Sequence, residues 1–338
     1  MAYPKAYIDA MLLNWGDRLF QEPFRHVGAP RLSRAAMRGA ATRVREQLAR
    51  TLRGTPEVMV KITNKASSAQ GMGAVRRHLR YISRNGQVEL EDQNGDRVTG
   101  AEAVRDLART WQLGGWGIPE TSHRREVFNV LLSMPPGTNR QAVRDAARDF
   151  AALEFGDGRA YVFAAHDDEA HPHVHLSVQV RGQDGRRLNP RKQDLRRWRE
   201  RFAEQLRTNG VDANATPRKA RGATQRYPKP CVKHMLARGE VPMYWQAVAN
   251  AEQRQTGWQS HDGVFAAWRE IALTMAASPA RPDREMAVGI ADFVQAMPVQ
   301  RDAPMVVNRA QQKEPPRPER LPTKQENRLG DPGPEVDR

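Results

Sequence analysis

The chain reads as an α+β protein: a mainly antiparallel central sheet with helices packed on it, followed by a helical C-terminal region and a disordered tail. Three observations point there. After Pro172 the residues alternate strictly, with His173, His175, Ser177 and Gln179 on one side and Val174, Leu176, Val178 and Val180 on the other, which is the period of a strand. Across residues 57–208 the local patterns run β-α-ββ-α-β-α-β-β-α. From Gly222 onward strand patterns stop.

Taken in order, residues 1–55 look helical, with spaced Ala, Met, Val and Leu among the arginines of 34–53 and Ser33 as a cap. Residues 57–63 (Glu-Val-Met-Val-Lys-Ile-Thr) read as a strand, and about 70–84 as a helix stopped by Asn85-Gly86. Residues 87–98 carry a hairpin signature with Asn94-Gly95 at the turn. Residues 101–112 are helical in pattern and 125–132 form a strand. Thr138 or Asn139 can cap the helix that runs to Phe155. Strand 159–165 leads into the alternating strand, and an arginine-rich helix covers about 192–208. Helices grouped on one face of the sheet would satisfy this order, with the alternating strand and the one before it as central neighbours. The expected division is a helical extension over 1–55, a main domain over 56–222, a helical accessory region over 223–299 with Trp245, Trp258 and Trp268, and a disordered tail over 300–338.

A formal net charge of +15 over 338 residues, with an isoelectric point near 10.5, calls for a polyanionic partner. Nucleic acid fits better than membrane. The most apolar window, 264–277, is broken by Arg269 and Glu270, so no membrane insertion is expected, and the N-terminus lacks a secretory layout. Cys231 is the only cysteine, which rules out an internal disulfide and fits a reducing cytoplasm.

Four of the nine histidines fall between 166 and 175. If strands 159–165 and 173–180 pair across the intervening loop, His166 faces the row that carries His173 and His175. Three neutral imidazoles can then hold one divalent metal ion with positions left open for substrate oxygens. His171 has the parity of that row, but Pro172 lifts it from the ladder, so it ranks as a reserve ligand. Asp168 and Glu169, with Asp167, lie close enough to orient an imidazole N–H. Incidental histidines on a polar loop are the plain alternative.

Tyr81 is the second candidate. At about 100° per residue, Met72, Val75, Leu79 and Ile82 make the apolar stripe of its helix. Tyr81 falls almost opposite, flanked by Arg77 and Arg84, with Arg80 and His78 further round. A phenol set off the core among guanidinium groups suits a phosphodiester; a solvent-facing tyrosine is the plain alternative. A third feature is basic surface: Arg191, Lys192 and Arg196, among other arginines, surround Trp198 and Phe202. Cations interleaved with aromatics suit a single strand, although the same aromatics also fit a helix's buried face.

Together these segments resemble the relaxase, or mobilisation nuclease, family of conjugative plasmids and integrative elements, endonucleases of the HUH class. Arg80-Tyr-Ile-Ser-Arg-Asn-Gly86 with Val88-Glu-Leu-Glu91 resembles the motif of the catalytic tyrosine. Val130-Leu-Leu-Ser-Met-Pro-Pro-Gly137 resembles the second motif, whose serine, here Ser133, lies near bound DNA. His166-Asp-Asp-Glu-Ala-His-Pro-His-Val-His175 resembles the metal motif. The resemblance spans roughly 57–222. It departs from the usual pattern in having some 55 residues before the first strand.

The resemblance implies an HUH-like fold and a strand-specific nick at a transfer origin. Tyr81 would join covalently to the 5′ end, with Mg²⁺ or Mn²⁺ as cofactor. Implied partners are single-stranded DNA, an accessory DNA-binding protein and the coupling protein of a type IV secretion system. The implied setting is the bacterial cytoplasm, with translocation alongside the transferred strand. Three alternatives stand beside it: an HUH rolling-circle initiator or single-strand transposase, a water-activating metallohydrolase, and a non-catalytic, metal-stabilised DNA-binding accessory protein.

Overall fold

In the computed structural model, which describes residues 3–20, 34–64, 71–223, 235, 237–240 and 251–301, two helices precede the sheet, α1 (Lys5–Phe20) and α2 (Arg34–Leu52). Six strands follow: β1 (Met59–Ile62), β2 (Leu90–Asp92), β3 (Arg97–Val98), β4 (Val127–Ser133), β5 (Tyr161–His166) and β6 (His173–Gln179). They form one sheet in the spatial order β1-β4-β6-β5-β2-β3, every neighbouring pair antiparallel. The histidine strand β6 and its predecessor β5 therefore sit at the centre. Helices α3 (Met72–Ile82), α4 (Ala101–Leu113), α5 (Arg140–Phe155) and α6 (Lys192–Thr208) connect and flank the strands in the expected order. Asn139 is the cap of α5, its side chain accepting the Ala142 N–H at 3.1 Å.

The helices cover both faces rather than one. Val130, Leu132, Phe163, Leu176 and Val178 pack under α5 and α6, while Val127, Val162, Ala164 and Leu90 pack under α3 and α4. The cause is in β5, whose first four residues (Tyr-Val-Phe-Ala) are buried on both sides. A strand apolar at both parities must be covered twice, and each fully buried Leu or Phe side chain gains on the order of 1.5–3 kcal/mol over an exposed one.

A second core joins the two N-terminal helices to the helices between residues 251 and 301. Ile8 and Leu12 of α1 and Leu48 of α2 pack with Trp268 and Ile271 of the C-terminal helices. Those helices are α7 (Ala251–Gln259), α8 (Asp262–Ala276), α9 (Arg281–Gln295) and the short α10 (Pro298–Arg301). Arg45 of α2 ties them electrostatically, reaching Asp9 at 2.8 Å and Asp283 at 3.0 Å. Ser33, Cys231, Trp245 and the tail from residue 302 lie outside the described residues.

Candidate metal centre and nucleophile

Strand parity places the site. Val174, Leu176 and Val178 of β6 and Tyr161 and Phe163 of β5 enter the α5/α6 core, so His173, His175 and His166 emerge on the α3/α4 face. His166 lies opposite His173 in the β5–β6 register, and the small Ala164 opposite His175. One nitrogen from each of the three imidazoles lies within 4.8 Å of the others, and ring centroids are 4.6–5.3 Å apart. Ser133, on β4, is in register with His173. It is therefore on the same face, buried, with its hydroxyl 3.4 Å from the Met134 carbonyl.

Two of the three imidazoles are oriented by main-chain oxygens. His166 Nε2 is 2.7 Å from the Ile82 carbonyl, and His173 Nδ1 is 3.0 Å from that of His171. A carbonyl only accepts, so those nitrogens carry the protons and His166 Nδ1 and His173 Nε2 keep lone pairs. Burial pushes His175 down to about 3, helped by the neighbouring histidines, and also lowers His166. Both are neutral at physiological pH, as metal ligands must be. The donor set fits a divalent ion.

Tyr81 comes from the last turn of α3. Met72, Val75, Leu79 and Ile82 are the helix's buried residues, so the stripe read from sequence anchors it and Tyr81 is left 53% exposed. The Tyr81 ring stands edge-on to His175 at 5.7 Å, and the Arg84 guanidinium lies 5.0 Å from its centroid. Arg84 also approaches His166 Nδ1 at 3.3 Å and pairs with Asp168. That pairing raises Arg84 and holds the Asp168 carboxyl below its ordinary value. Arg84, Asn85 and Gly86 are all left-handed, with φ of 49°, 58° and 89°. This tight turn is what sends Arg84 back over the tyrosine.

The structure does not gather every candidate. Asp168 and Glu169 do not orient an imidazole, because main-chain carbonyls already hold the His166 and His173 N–H groups. Asp168 instead meets Arg84, and Glu169 meets Arg140 through its backbone oxygen at 2.6 Å. His171 is exposed and outside the triad. Arg77 is exposed on α3, and Arg80 turns away from the triad into the groove between α3 and α4. Arg191, Lys192 and Arg196 belong to α6, across the sheet from the histidines, and Arg196 pairs with Glu200 at 2.7 Å. Trp198 and Phe202 are fully buried and cannot stack on bases; an amphipathic helix had to bury its aromatic face.

One neighbour, His78, was placed on the tyrosine's helix from sequence without a role, and another, Arg140, was not seen at all. His78, one helical turn before Tyr81, packs 6.1 Å from it and 6.4 Å from His175, and burial lowers it to about 4. Its i−3 spacing was the available signal. Arg140, at the start of α5, clamps the loop between the histidines through the carbonyls of His166 (3.4 Å) and Glu169 and the Asp167 carboxylate (3.2 Å). Nothing in sequence marks it.

A His-x-His strand at the centre of an antiparallel sheet, facing a third histidine and an exposed tyrosine, is similar to the arrangement that the sequence's resemblance to HUH-class nucleases implied. Residues 81–211 match the family model for the nuclease domain of MobA/VirD2-like relaxases. Curated relatives include the T-DNA border endonuclease VirD2 of Rhizobium radiobacter, 30% identical over 165 residues, which cover 44% of this chain and 39% of the relative. VirD2 of Agrobacterium fabrum (strain C58) is 30% identical over 165 residues, 44% of this chain and 37% of that protein. VirD2 of Rhizobium rhizogenes is 29% identical over the same length, 44% and 38%. The match thus spans about two fifths of each relative. No solved structure matches at comparable significance. Among the described residues no helix is long and apolar enough to cross a membrane.

Proposed function

We propose that this protein is a relaxase that nicks one DNA strand at a transfer origin or border-like site of a mobile element. The observation that carries the proposal is Tyr81, exposed on the triad's face with its ring 5.7 Å from that of His175. The scissile phosphate binds beside the triad, within reach of the Tyr81 phenolic oxygen. The Tyr81 phenolic oxygen attacks phosphorus, and the bond from phosphorus to the 3′ oxygen breaks. That oxygen takes up a proton and leaves as a free 3′ hydroxyl, while the 5′ phosphate stays on Tyr81 as a phosphodiester. One phosphodiester replaces another, so the step is nearly thermoneutral and the same residues can rejoin ends.

Phenols are weak nucleophiles at neutral pH, so charge must be managed by the surroundings. Arg84 stands where it can pair with the phosphate and with developing phenolate charge. His78 and His175 brace the ring. Mg²⁺ or Mn²⁺ held by His166, His173 and His175 would polarise the non-bridging oxygens, although three imidazoles would bind softer metals more tightly. Arg77, exposed on α3, serves as a DNA contact, and Ser133 lies on the sheet face that the strand crosses. Residues 56–222 act as the nuclease domain, and the flanking helical regions as an accessory unit. An accessory DNA-binding protein and a type IV secretion coupling protein are the partners this role requires, acting from the bacterial cytoplasm.

The VirD2 relatives are border endonucleases by name, which supports a site-specific nick over the non-catalytic alternative. The test is incubation with a labelled single-stranded origin oligonucleotide and Mn²⁺. Wild-type protein is expected to form a denaturation-resistant adduct, and Tyr81→Phe to bind without forming one. A free 5′ phosphate with no adduct would return the water-activating hydrolase to first place.

A further inference from the structure

At the end of the sheet away from the histidines lies a cavity of about 590 Å³, bounded by the end of α4, the β2–β3 turn and the turns before β5 and after β6. Its wall holds Trp116, 59% exposed yet fixed in place. The indole Nε1 donates to the Gln183 carbonyl at 3.3 Å. The Arg181 guanidinium lies 5.1 Å from the ring centroid. A Cβ at Gly185 would come within 2.9 Å of the ring, and Gly185 has φ of +78°, so only glycine lets the indole settle there. Trp111, itself buried, also lines the cavity, as do the carboxamide-bearing Asn94, Gln179 and Gln183.

This combination is selective. A pre-set aromatic face binds planar rings, and carboxamides both donate and accept hydrogen bonds at a ring's edge. Arg159, also at the rim, spends its guanidinium on the Val180 and Arg186 carbonyls and on Asp157. Arg181 has no ion pair among the described residues, so its charge remains available. A nucleotide, which joins a planar, hydrogen-bonding ring to an anionic phosphate, meets all three features. Gln179 lies four residues from His175 on the same face of β6, about 13 Å along the strand. One DNA strand can therefore meet both places.

We infer that this cavity takes an unpaired base of the DNA strand, stacked on Trp116, with Arg181 on an adjoining phosphate. The inference rests on the proposed action on single-stranded DNA. Its test compares binding of an oligothymidylate with that of an abasic oligonucleotide of equal length and charge. Wild-type protein is expected to prefer the oligothymidylate. Trp116→Ala lowers oligothymidylate affinity about 5- to 100-fold and leaves the abasic affinity unchanged, while Trp116→Phe keeps most of the preference. Arg181→Gln weakens both oligonucleotides alike. If Trp116→Ala unfolds, the Phe and Gln variants carry the test. Equal losses on both oligonucleotides with Trp116→Phe or Trp116→Ala, or no loss with Trp116→Ala, would overturn the assignment. In a Tyr81→Phe background the preference persists, so failure of nicking and failure of the base pocket are read separately.

Discussion

Gly86 closes the turn that aims Arg84 at the site, and Gly86→Ala should be far more damaging than its one added methyl suggests. Gly86 has φ of +89°, and a Cβ there would lie 2.3 Å from both the Ala101 nitrogen and the Gly100 carbonyl carbon. Gly95, in the β2–β3 turn, has a similar φ of +84° but nothing within 4 Å. Left-handed backbone costs a residue bearing Cβ about 1–2 kcal/mol, and alanine recovers about 0.4–1 kcal/mol by restricting the unfolded chain. Gly95→Ala should therefore lose about 1 kcal/mol. Gly86→Ala carries the same penalty and must also push apart two backbone segments joined by the Gly100 N–H to Gly86 carbonyl bond of 3.0 Å. A loss of about 3 kcal/mol or more follows, or roughly 6–12 °C in melting midpoint at 2–4 °C per kcal/mol. Urea and thermal unfolding of the two variants side by side make the comparison. Because the turn carries Arg84, Gly86→Ala should also weaken single-strand binding, whereas Gly95→Ala should not. Equal stability losses would refute the claim that contact with the start of α4 fixes this turn.

Asn139→Ala removes the α5 cap and should cost about 0.5–2 kcal/mol in urea unfolding, with partial recovery in Asn139→Asp. Glu91 sets an acid limit. It is buried on β2, with Arg148 at 2.8 Å and Arg144 at 3.4 Å. Hydrogen bonding from Arg148 holds its carboxyl below the ordinary value of 4.5. Its stabilisation is therefore complete above that value and is lost as pH falls through the lower folded one. Glu91→Gln should destabilise by about 2 kcal/mol at pH 7, and the gap to wild type should narrow on acidification; a constant gap would contradict the ion-pair account. His175→Ala should abolish stoichiometric Mn²⁺ binding by calorimetry while leaving the melting midpoint of the metal-free protein within a few degrees.

Much of the site was legible because short-range periodicity determined it. The α3 stripe left Tyr81 outside the core, and strict alternation after Pro172 set the parity of His173 and His175. The β5–β6 pairing that brings His166 opposite His173 followed from one short loop. What stayed illegible depended on contacts distant in sequence. Arg140 reaches the histidine loop from another element. The N-terminal helices find their core on residues more than two hundred positions away. Helices on both faces were signalled by the double-sided apolar run of β5, which one-sided alternation in β6 obscured. The arginine-rich α6 misled for a different reason. Its aromatics serve the core, and Arg197 and Arg201 pair with Glu154, so neither the rings nor these two charges mark a stacking surface.

The central claim is a covalent bond between Tyr81 and the 5′ end of a cut strand. Its most direct measurement is proteolysis of the adduct formed with Mn²⁺ and a single-stranded origin oligonucleotide, followed by mass spectrometry of the nucleotide-bearing peptide. A phosphodiester on Tyr81 is expected, with the partner fragment ending in a 3′ hydroxyl. Attachment at any other residue, or to the 3′ end, would contradict it.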